Sequence, residues 1–337
     1  MERPGRMERR AGREHEPSSI GVIGVVETQR DNVNRRKGFI TSAIETEDQL
    51  RYFKEHFINE EITRLNHSPE LADITRLTVR VIVNADLLSH GRDRDHIEAI
   101  INIGSIGGRG NYAVVYFGYN KEEREISPEQ REDYYRRLML TNLSRDVGNL
   151  SGILSSNVYH SYTISKLDTE ALTPEQRSAI EGMLRTSFKY SEEDGTRMLE
   201  DSRNTFFVAT TATGEIVGMS MAERRRVGLD NGESIMIAEV TNATVINGHG
   251  GNGLYGAISA HLIRHIASDT ENRVDLVYSE SNMERQTLLN AIAMQHRTYA
   301  GILPNNSFVD GELRTMMVTY LNRQELDFLY LGGMLRP

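Results

Sequence analysis

Residues 234–268 read SIMIAEVTNATVINGHGGNGLYGAISAHLIRHIAS, and this stretch decides the fold of the second half of the chain. Apolar side chains dominate residues 234–246, which is typical of a buried strand. Glycine then occupies four of the six positions from 248 to 253, and leucine or isoleucine recurs at every fourth position from Leu254 to Ile266. The stretch therefore predicts a strand, a glycine-rich turn and the N-terminus of a helix in immediate succession.

The glycine-rich turn indicates an anion-binding site. The first N–H groups of a helix have no partner within the helix and carry a partial positive charge, and glycines let a diphosphate approach the backbone. The turn does not match the phosphate loop GxxxxGK(S/T), and its lack of lysine argues against nucleoside triphosphate hydrolysis. A glycine-rich connection that binds no ligand is the alternative interpretation.

The segment from Ala238 to Leu254 resembles the signature of the GNAT superfamily of acyl-CoA-dependent N-acyltransferases. In that family the pattern (Q/R)xxGx(G/A) follows the fourth strand and holds the CoA pyrophosphate. The order of strands and helices from about residue 160 to 322 also resembles that fold. Two shorter stretches, from Glu239 into the turn and from Tyr299 to Asn306, resemble β-lysine N-acetyltransferases within the superfamily.

The resemblance implies a binding site for acyl-CoA, either acetyl-CoA or a longer acyl-CoA, as co-substrate. It places Asn282 against the pantetheine arm of the CoA. The other residues that it assigns to CoA are Val245, Ile246, Gly248, His249, Gly250, Gly251, Asn252, Gly253 and Leu254.

The chain departs from the family pattern at positions that bear on the reaction. Gly250 stands where the family has glutamine or arginine, so one side-chain contact to phosphate is missing. Leu289 stands where many members have a tyrosine that serves as general acid. The source of the proton for the departing thiolate is therefore open.

Direct acyl transfer needs an uncharged amine, a donor for the developing oxyanion and a proton for the thiolate. By the resemblance Glu239 lies on the strand that carries the acyl group, and it is our candidate general base, directly or through a water. An ordinary glutamate on a strand surface is the alternative. Tyr299, Ser281 and Tyr278 are candidate acids near the fifth strand, although tyrosines are more often packing residues. We predict no metal site, because no histidine or carboxylate spacing fits one.

The composition narrows the function classes. Among 337 residues, Lys plus Arg number 39 and Asp plus Glu number 48, which gives a formal charge of −9. Such an acidic chain is not attracted in bulk to nucleic acid or to an anionic membrane, and it suits a cationic acceptor. The absence of cysteine excludes disulfides, thiolate metal sites and cysteine nucleophiles. The N-terminal segment lacks the apolar core of a signal peptide, so we expect a cytoplasmic protein.

We predict an α/β (α+β) protein with four parts. Residues 1–18 are expected to form a disordered tail, and residues 19–157 a separate α+β domain of unknown role. Residues 158–323 are expected to form a GNAT-like acyltransferase domain, a mixed sheet flanked by helices, and residues 324–337 a C-terminal tail.

The first domain carries clear local signals but no visible catalytic constellation. A capping box at Thr46 and Gln49 predicts the start of a helix that ends near Asn66. Alternating side chains at residues 77–83 predict a mostly buried strand, and the glycine cluster at residues 107–111 predicts a hairpin turn.

The function that these residues favour is transfer of an acyl group from acyl-CoA to a primary amine, on a small cationic molecule or on a peptide lysine or ornithine. One alternative is a catalytically inactive GNAT-fold protein that binds CoA or a peptide for regulation. Another is a peptide-binding protein in which the first domain is the functional half. The expected partners are thus acyl-CoA and an amine acceptor, with neither nucleic acid nor a membrane, and homodimerisation is left open.

Overall fold

The computed structural model describes residues 29–30, 35–40, 42–69, 76–88, 97–105, 111–120, 127–130, 132–137, 161–250, 253–293, 295–309 and 312–331. Several predictions lie outside these residues. They are the disordered tail at 1–18, the turn at 107–110, and the cofactor contacts of Gly251 and Asn252.

Within the described residues, twelve strands form one mixed sheet in the order β1-β2-β3-β5-β4-β11-β12-β10-β9-β8-β7-β6. The pairs β2–β3 and β9–β10 are parallel, and the other neighbours are antiparallel. The strands are β1 Gln29–Arg30, β2 Arg35–Phe39, β3 Arg76–Asn84, β4 Ile97–Ser105, β5 Asn111–Asn120, β6 Tyr162–Lys166, β7 Asn204–Thr211, β8 Ile216–Gly228, β9 Ser234–Val245, β10 Leu276–Asn282, β11 Thr298–Val309 and β12 Glu312–Asn322.

Helices cover parts of this sheet. The predicted capping box is present at Thr46, and its helix runs through a π-helical turn at Phe53–Ile58 to His67. The helices are α1 Glu47–Tyr52, α2 Asn59–His67, α3 Pro174–Phe188, α4 Glu192–Glu200, α5 Leu254–Ser268, α6 Gln286–Ala293 and α7 Arg323–Leu326, with a further π-helical turn at Asp327–Leu331. The predicted succession of strand, glycine turn and helix is confirmed, because β9 ends at Val245 and α5 begins at Leu254.

The sheet passes without interruption from the first half of the chain into the second. The connection is the pair β4–β11, where Gly301 lies opposite Ala99. A Cβ on Gly301 would lie 2.6 Å from the Cβ of Ala99, so only glycine permits this close approach without a shift. The predicted mixed α/β fold is therefore confirmed, whereas the division into separate domains stays a prediction.

The strands from β3 round to β8 close into a barrel. Residues 42–44 link its two ends, because Ser42 bridges to Gly228 of β8 and Ile44 bridges to Val83 of β3. The interior is largely apolar. Its buried side chains come from both halves of the chain and include Ile82, Ile101, Val114, Tyr116, Ile237, Tyr278, Leu303 and Val318.

Further apolar clusters lie outside the barrel. Helix α5 packs on β7–β10, together with Leu326 and Tyr330 from residues 323–331, which belong mostly to the predicted C-terminal tail. Helices α3 and α4 pack with Phe206 and Met219 of β7 and β8. The α1–α2 segment covers the outer face of β3 and β5. The second half is therefore a sheet with helices on it, and its strands β11, β12, β10, β9 and β8 also form part of the barrel wall.

Candidate active site

Strands β9 and β10 separate part of the way along their length. Their parallel pairing runs through Ile237–Leu276 and Ala238–Val277 and ends at Glu239–Tyr278. Both strands continue past this point, β9 to Val245 and β10 to Asn282. The facing backbone edges of residues 240–245 and 279–282 therefore form a wedge, which an extended chain-like ligand can enter.

A β-bulge gives β9 the bend that accompanies this separation. Met219 of β8 pairs with Thr244, but Met221 pairs with Thr241, so β9 carries an extra residue in this interval. Asn242 within the bulge has a φ of 50°, a conformation that asparagine tolerates better than most residues. The Tyr190 hydroxyl donates to its side-chain oxygen at 3.4 Å, which helps to hold the bulge.

The glycine turn joins the end of β9 to α5. Gly248 has a φ of 93° and Gly253, the N-cap of α5, has a φ of 74°, so both use conformations that favour glycine. A Cβ on Gly250 would meet no heavy atom within 4 Å, which leaves that side of the turn open. The Tyr162 hydroxyl lies 2.9 Å from Nδ1 of His249 and fixes the turn against β6.

The predicted CoA residues occupy these two features. Val245 and Ile246 lie at the end of β9, and the Ile246 N–H donates to the Val217 carbonyl at 2.9 Å. The side chain of Leu254 is buried in the core beneath α5, so only its backbone can face the turn. The Oδ1 atom of Asn282 accepts from the Glu284 N–H at 2.8 Å, a turn contact at the end of β10.

Glu239, the candidate base, lies buried at the closed end of the wedge and faces the barrel interior. The Arg80 guanidinium of β3 forms an ion pair with it, and the Tyr278 hydroxyl donates to its Oε2 atom at 3.1 Å. Nη1 of Arg80 also donates to the Tyr278 hydroxyl at 2.6 Å and lies 4.0 Å from Oε1 of Glu280. Glu239 therefore belongs to a charged cluster that both halves of the chain build.

Burial and charge set the protonation states in this cluster. Burial acts to lower the pKa of Arg80. The opposing effect of its neighbours is larger and raises that pKa well above its usual value; these neighbours are Glu239, Tyr278, Tyr116 and Glu280. Burial raises the pKa of Tyr278 and of Tyr116 well above the ordinary value for tyrosine. Arg80 therefore stays charged, and both phenols stay protonated at neutral pH.

Of the three candidate acids, Tyr278 contacts Glu239, whereas Ser281 and Tyr299 lie elsewhere. Strand alternation puts Ser281 on the face opposite to Tyr278 and Glu280, where it is buried. Tyr299 lies partly exposed on β11, and burial, with nearby Tyr135, raises its pKa to about 12. The roles of Ser281 and Tyr299 stay predictions.

The sequence identified Leu289 as a departure from the family pattern, but it did not identify Arg80 as a residue of the site. Leu289, at the family position of the general acid, is fully buried in an apolar cluster with Met283 and Met317. Arg80 carries a site contact that the sequence analysis missed, because the first half showed no catalytic constellation. The available signal was two arginines, Arg76 and Arg80, in a strand that is mostly apolar.

Neither a membrane-spanning helix nor a metal-binding group is present among the described residues. No helix among them has the length and apolarity needed to cross a bilayer. No group of three or more histidine, aspartate and glutamate side chains in this part of the chain is arranged to hold a metal ion.

Solved structures with a similar fold over about half of the chain include N-acetyltransferases. Arabidopsis thaliana NAA60 in complex with acetyl-CoA is 11% identical, with a TM-score of 0.41 over 48% of this chain and 99% of its own. The Escherichia coli ribosomal-protein-S18-alanine N-acetyltransferase is 19% identical, with a TM-score of 0.37 over 48% and 93%. Spermidine N-acetyltransferase from Vibrio cholerae in complex with CoA and spermine is 15% identical, with a TM-score of 0.36 over 49% and 98%.

No protein-family model matches the chain, and no curated protein matches it significantly. The three TM-scores lie below 0.5, and we therefore draw the function from the geometry of the chain itself.

Proposed function

We propose that this protein is an N-acyltransferase that moves an acetyl group from acetyl-CoA to a primary amine. The observation that carries the proposal is the wedge between β9 and β10, which closes at Glu239–Tyr278 and opens toward the glycine turn before α5. A thioester cofactor with a diphosphate at one end and an extended amide arm at the other fits both features in one pose.

Each part of CoA has a counterpart in this region. The pantetheine amides are suited to the facing strand edges of the wedge, as in strand addition to a sheet. The diphosphate is suited to the turn at residues 247–253, where backbone N–H groups and the N-terminus of the 15-residue helix α5 favour an anion. This pose brings the thioester toward Glu239.

The reaction joins the amine nitrogen to the thioester carbonyl carbon and breaks the C–S bond, with CoA leaving as the thiol. A lysine-type amine with an ordinary pKa near 10.4 must first lose a proton, and Glu239 is the proposed acceptor, directly or through a water. Backbone N–H groups of residues 240–244 are the proposed donors to the oxyanion. Ser281 and Tyr299 stay the proposed sources of the thiolate proton.

The acceptor is proposed to be a small cationic molecule or a peptide lysine or ornithine. The net charge of −9 and two carboxylates on the barrel side of the wedge, Glu239 and Glu280, favour a cationic amine. An amine of the β-lysine type, an acyl donor longer than acetyl, a cytoplasmic location and a homodimer all stay predictions from the sequence.

A second candidate function is CoA or peptide binding without turnover. Two observations favour it: the Glu239 carboxylate is held in a buried ion pair with Arg80, and Leu289 fills the position of the family's general acid with a core side chain. This candidate shares the CoA site and differs from the first only in turnover.

Calorimetric titration with acetyl-CoA, then with a long-chain acyl-CoA, tests the shared site. Gly250→Asp adds a carboxylate at the open side of the turn and should abolish binding, while Gly250→Asn, of the same size but uncharged, should keep most of it. Equal affinity of the two variants would refute the diphosphate site. Thiol release in the presence of amines such as spermidine or a lysine peptide then separates the enzyme from the binding protein.

A further inference from the structure

We infer that Arg80, from the first half of the chain, is the positioning residue of Glu239, so that the barrel is part of the active site rather than an appended domain. This inference rests on the proposed function. It assigns a role in the reaction to a residue far outside the segment that resembles an acyltransferase.

Three contacts fix the carboxylate of Glu239 in one orientation. Nη1 of Arg80 and the hydroxyl of Tyr278 both donate to its Oε2 atom, and Nη1 also donates to the Tyr278 oxygen at 2.6 Å. The three groups thus form a closed triangle in which each member contacts the other two. A carboxylate held by two donors at one oxygen cannot rotate without breaking both bonds.

Arg80 is itself held from several sides. Its guanidinium lies 5.9 Å from the ring centroid of Tyr116 and 5.7 Å from that of Tyr278, and the two rings meet edge to face. Its backbone carbonyl accepts from the Ile40 N–H at 3.0 Å, just before the residues 42–44 that close the barrel. The orientation of Glu239 is therefore transmitted from the barrel wall rather than from its own strand.

The second half alone would not hold Glu239 in this way. Glu239 is the last residue of β9 that pairs with β10, and its side chain points to the sheet face that the first half covers. Without β3 and β5, that face would be open to water. The first half thus supplies both the cation and the dry surroundings in which an ion pair is strong.

Arg76 provides a matched control on the same strand. Strand alternation puts Arg76 and Arg80 on the same face of β3, and both are buried. Arg76, however, pairs with Glu98 and donates to the Asn306 side chain at 2.8 Å. The two arginines share burial, charge and strand, and they differ in the carboxylate that they hold.

The experiment compares Arg80→Met, Arg80→Lys, Tyr278→Phe and Arg76→Met in steady-state acetyl transfer to spermidine. We expect Arg80→Met to lower kcat on the order of tenfold or more, with the Kd of acetyl-CoA nearly unchanged, because only the base is displaced. Arg80→Lys should recover part of kcat, and Arg76→Met should keep it. A kcat of Arg80→Met equal to that of the wild type would overturn the inference while leaving the proposed function intact.

The pH profile gives a readout that a purely structural role would not move. Without the guanidinium, the carboxylate takes up a proton more readily, so the acidic limb of kcat/KM should shift to higher pH in Arg80→Met and not in Arg76→Met. The charged and titratable groups around Glu239 include Arg80 of β3, Tyr116 of β5, Glu223 of β8, and Tyr278 and Glu280 of β10, and Arg225 of β8 pairs with Glu223.

A titration of the Glu239 side chain by carbon-13 NMR makes the test independent of turnover. The midpoint should be higher in Arg80→Met than in the wild type, and an unchanged midpoint would overturn the inference. A wild-type protein that binds acetyl-CoA but never releases thiol would instead refute the proposed function, and with it the role of Arg80 in a reaction. The shifted midpoint would then mark Arg80 as a structural partner only.

Discussion

Replacing Arg80 by methionine removes the cation that lies between two buried carboxylates. The side chains of Arg80, Glu239 and Glu280 are 4%, 8% and 6% exposed, so water cannot replace the lost partner. Deleting one member of a buried ion pair costs about 3–5 kcal/mol, and we expect a loss of unfolding free energy of this size for Arg80→Met. Glu239→Gln should cost less, about 1–2 kcal/mol, because Arg80 keeps Glu280 and the new amide oxygen still accepts from Tyr278.

The double variant separates the pair from its surroundings. Arg80→Met with Glu239→Gln removes one charge of each sign, so its cost should fall about 2 kcal/mol below the sum of the single costs. The assay is urea denaturation at pH 7 followed by circular dichroism. As a control, Arg76→Met with Glu239→Gln should be additive to within about 0.5 kcal/mol, because Arg76 pairs with Glu98. An equal departure from additivity in the two double variants would refute the reasoning that the Arg80–Glu239 ion pair links the halves of the chain.

Three further predictions test the barrel and the turn. Gly301→Ala should destabilise the protein by about 1–3 kcal/mol, because the new Cβ would lie 2.6 Å from the Cβ of Ala99 on the neighbouring strand. Gly182→Ala, in open space on α3, should instead raise the free energy of unfolding by about 0.5–1 kcal/mol in the same denaturation assay. Tyr116→Phe should leave the free energy of unfolding almost unchanged, because the Tyr116 hydroxyl is buried and has no hydrogen-bond partner among the described residues. Tyr278→Phe should lower it by about 1–2 kcal/mol, because the Tyr278 hydroxyl loses its hydrogen bonds to Arg80 and Glu239. Burial raises the pKa of both tyrosines above the ordinary value of 10.0. Their contribution to stability is therefore complete below that pH and is lost as the pH rises above it. The melting temperature of the wild type should fall above about pH 10, and that of Tyr116→Phe should fall less.

Local signals in the sequence predicted local structure well. The four glycines at residues 248–253 and the fourfold spacing from Leu254 to Ile266 predicted the β9–turn–α5 unit, and Thr46 with Gln49 predicted a capping box that is present. These patterns succeed because a turn, a cap or one helix face depends on residues a few positions apart. The same locality explains why the bulge at Asn242 was missed, since it depends on the register of β8 against β9.

The barrel could not be predicted from such patterns. Arg80 and Glu239 are 159 positions apart, and their contact depends on the β4–β11 pairing and on the closure by residues 42–44. Alternation at residues 77–83 predicted a strand with Arg80 on one face, but it did not tell which face another sheet would cover. Pairing over such distances is a property of the tertiary fold and leaves no periodic mark in either segment.

The position of the charged cluster supports a function more than a stabilising role. Most of the barrel interior is apolar, and buried ion pairs are often no more stable than apolar side chains of similar volume. A barrel selected for stability alone would continue its isoleucines and valines to the end. The charges instead lie where β9 and β10 part, with Glu239 at the last paired position and Arg80 reaching it from the opposite wall. The charged side chains thus replace more stable apolar packing at the place where the wedge opens. A reaction site between β9 and β10 would require such a replacement.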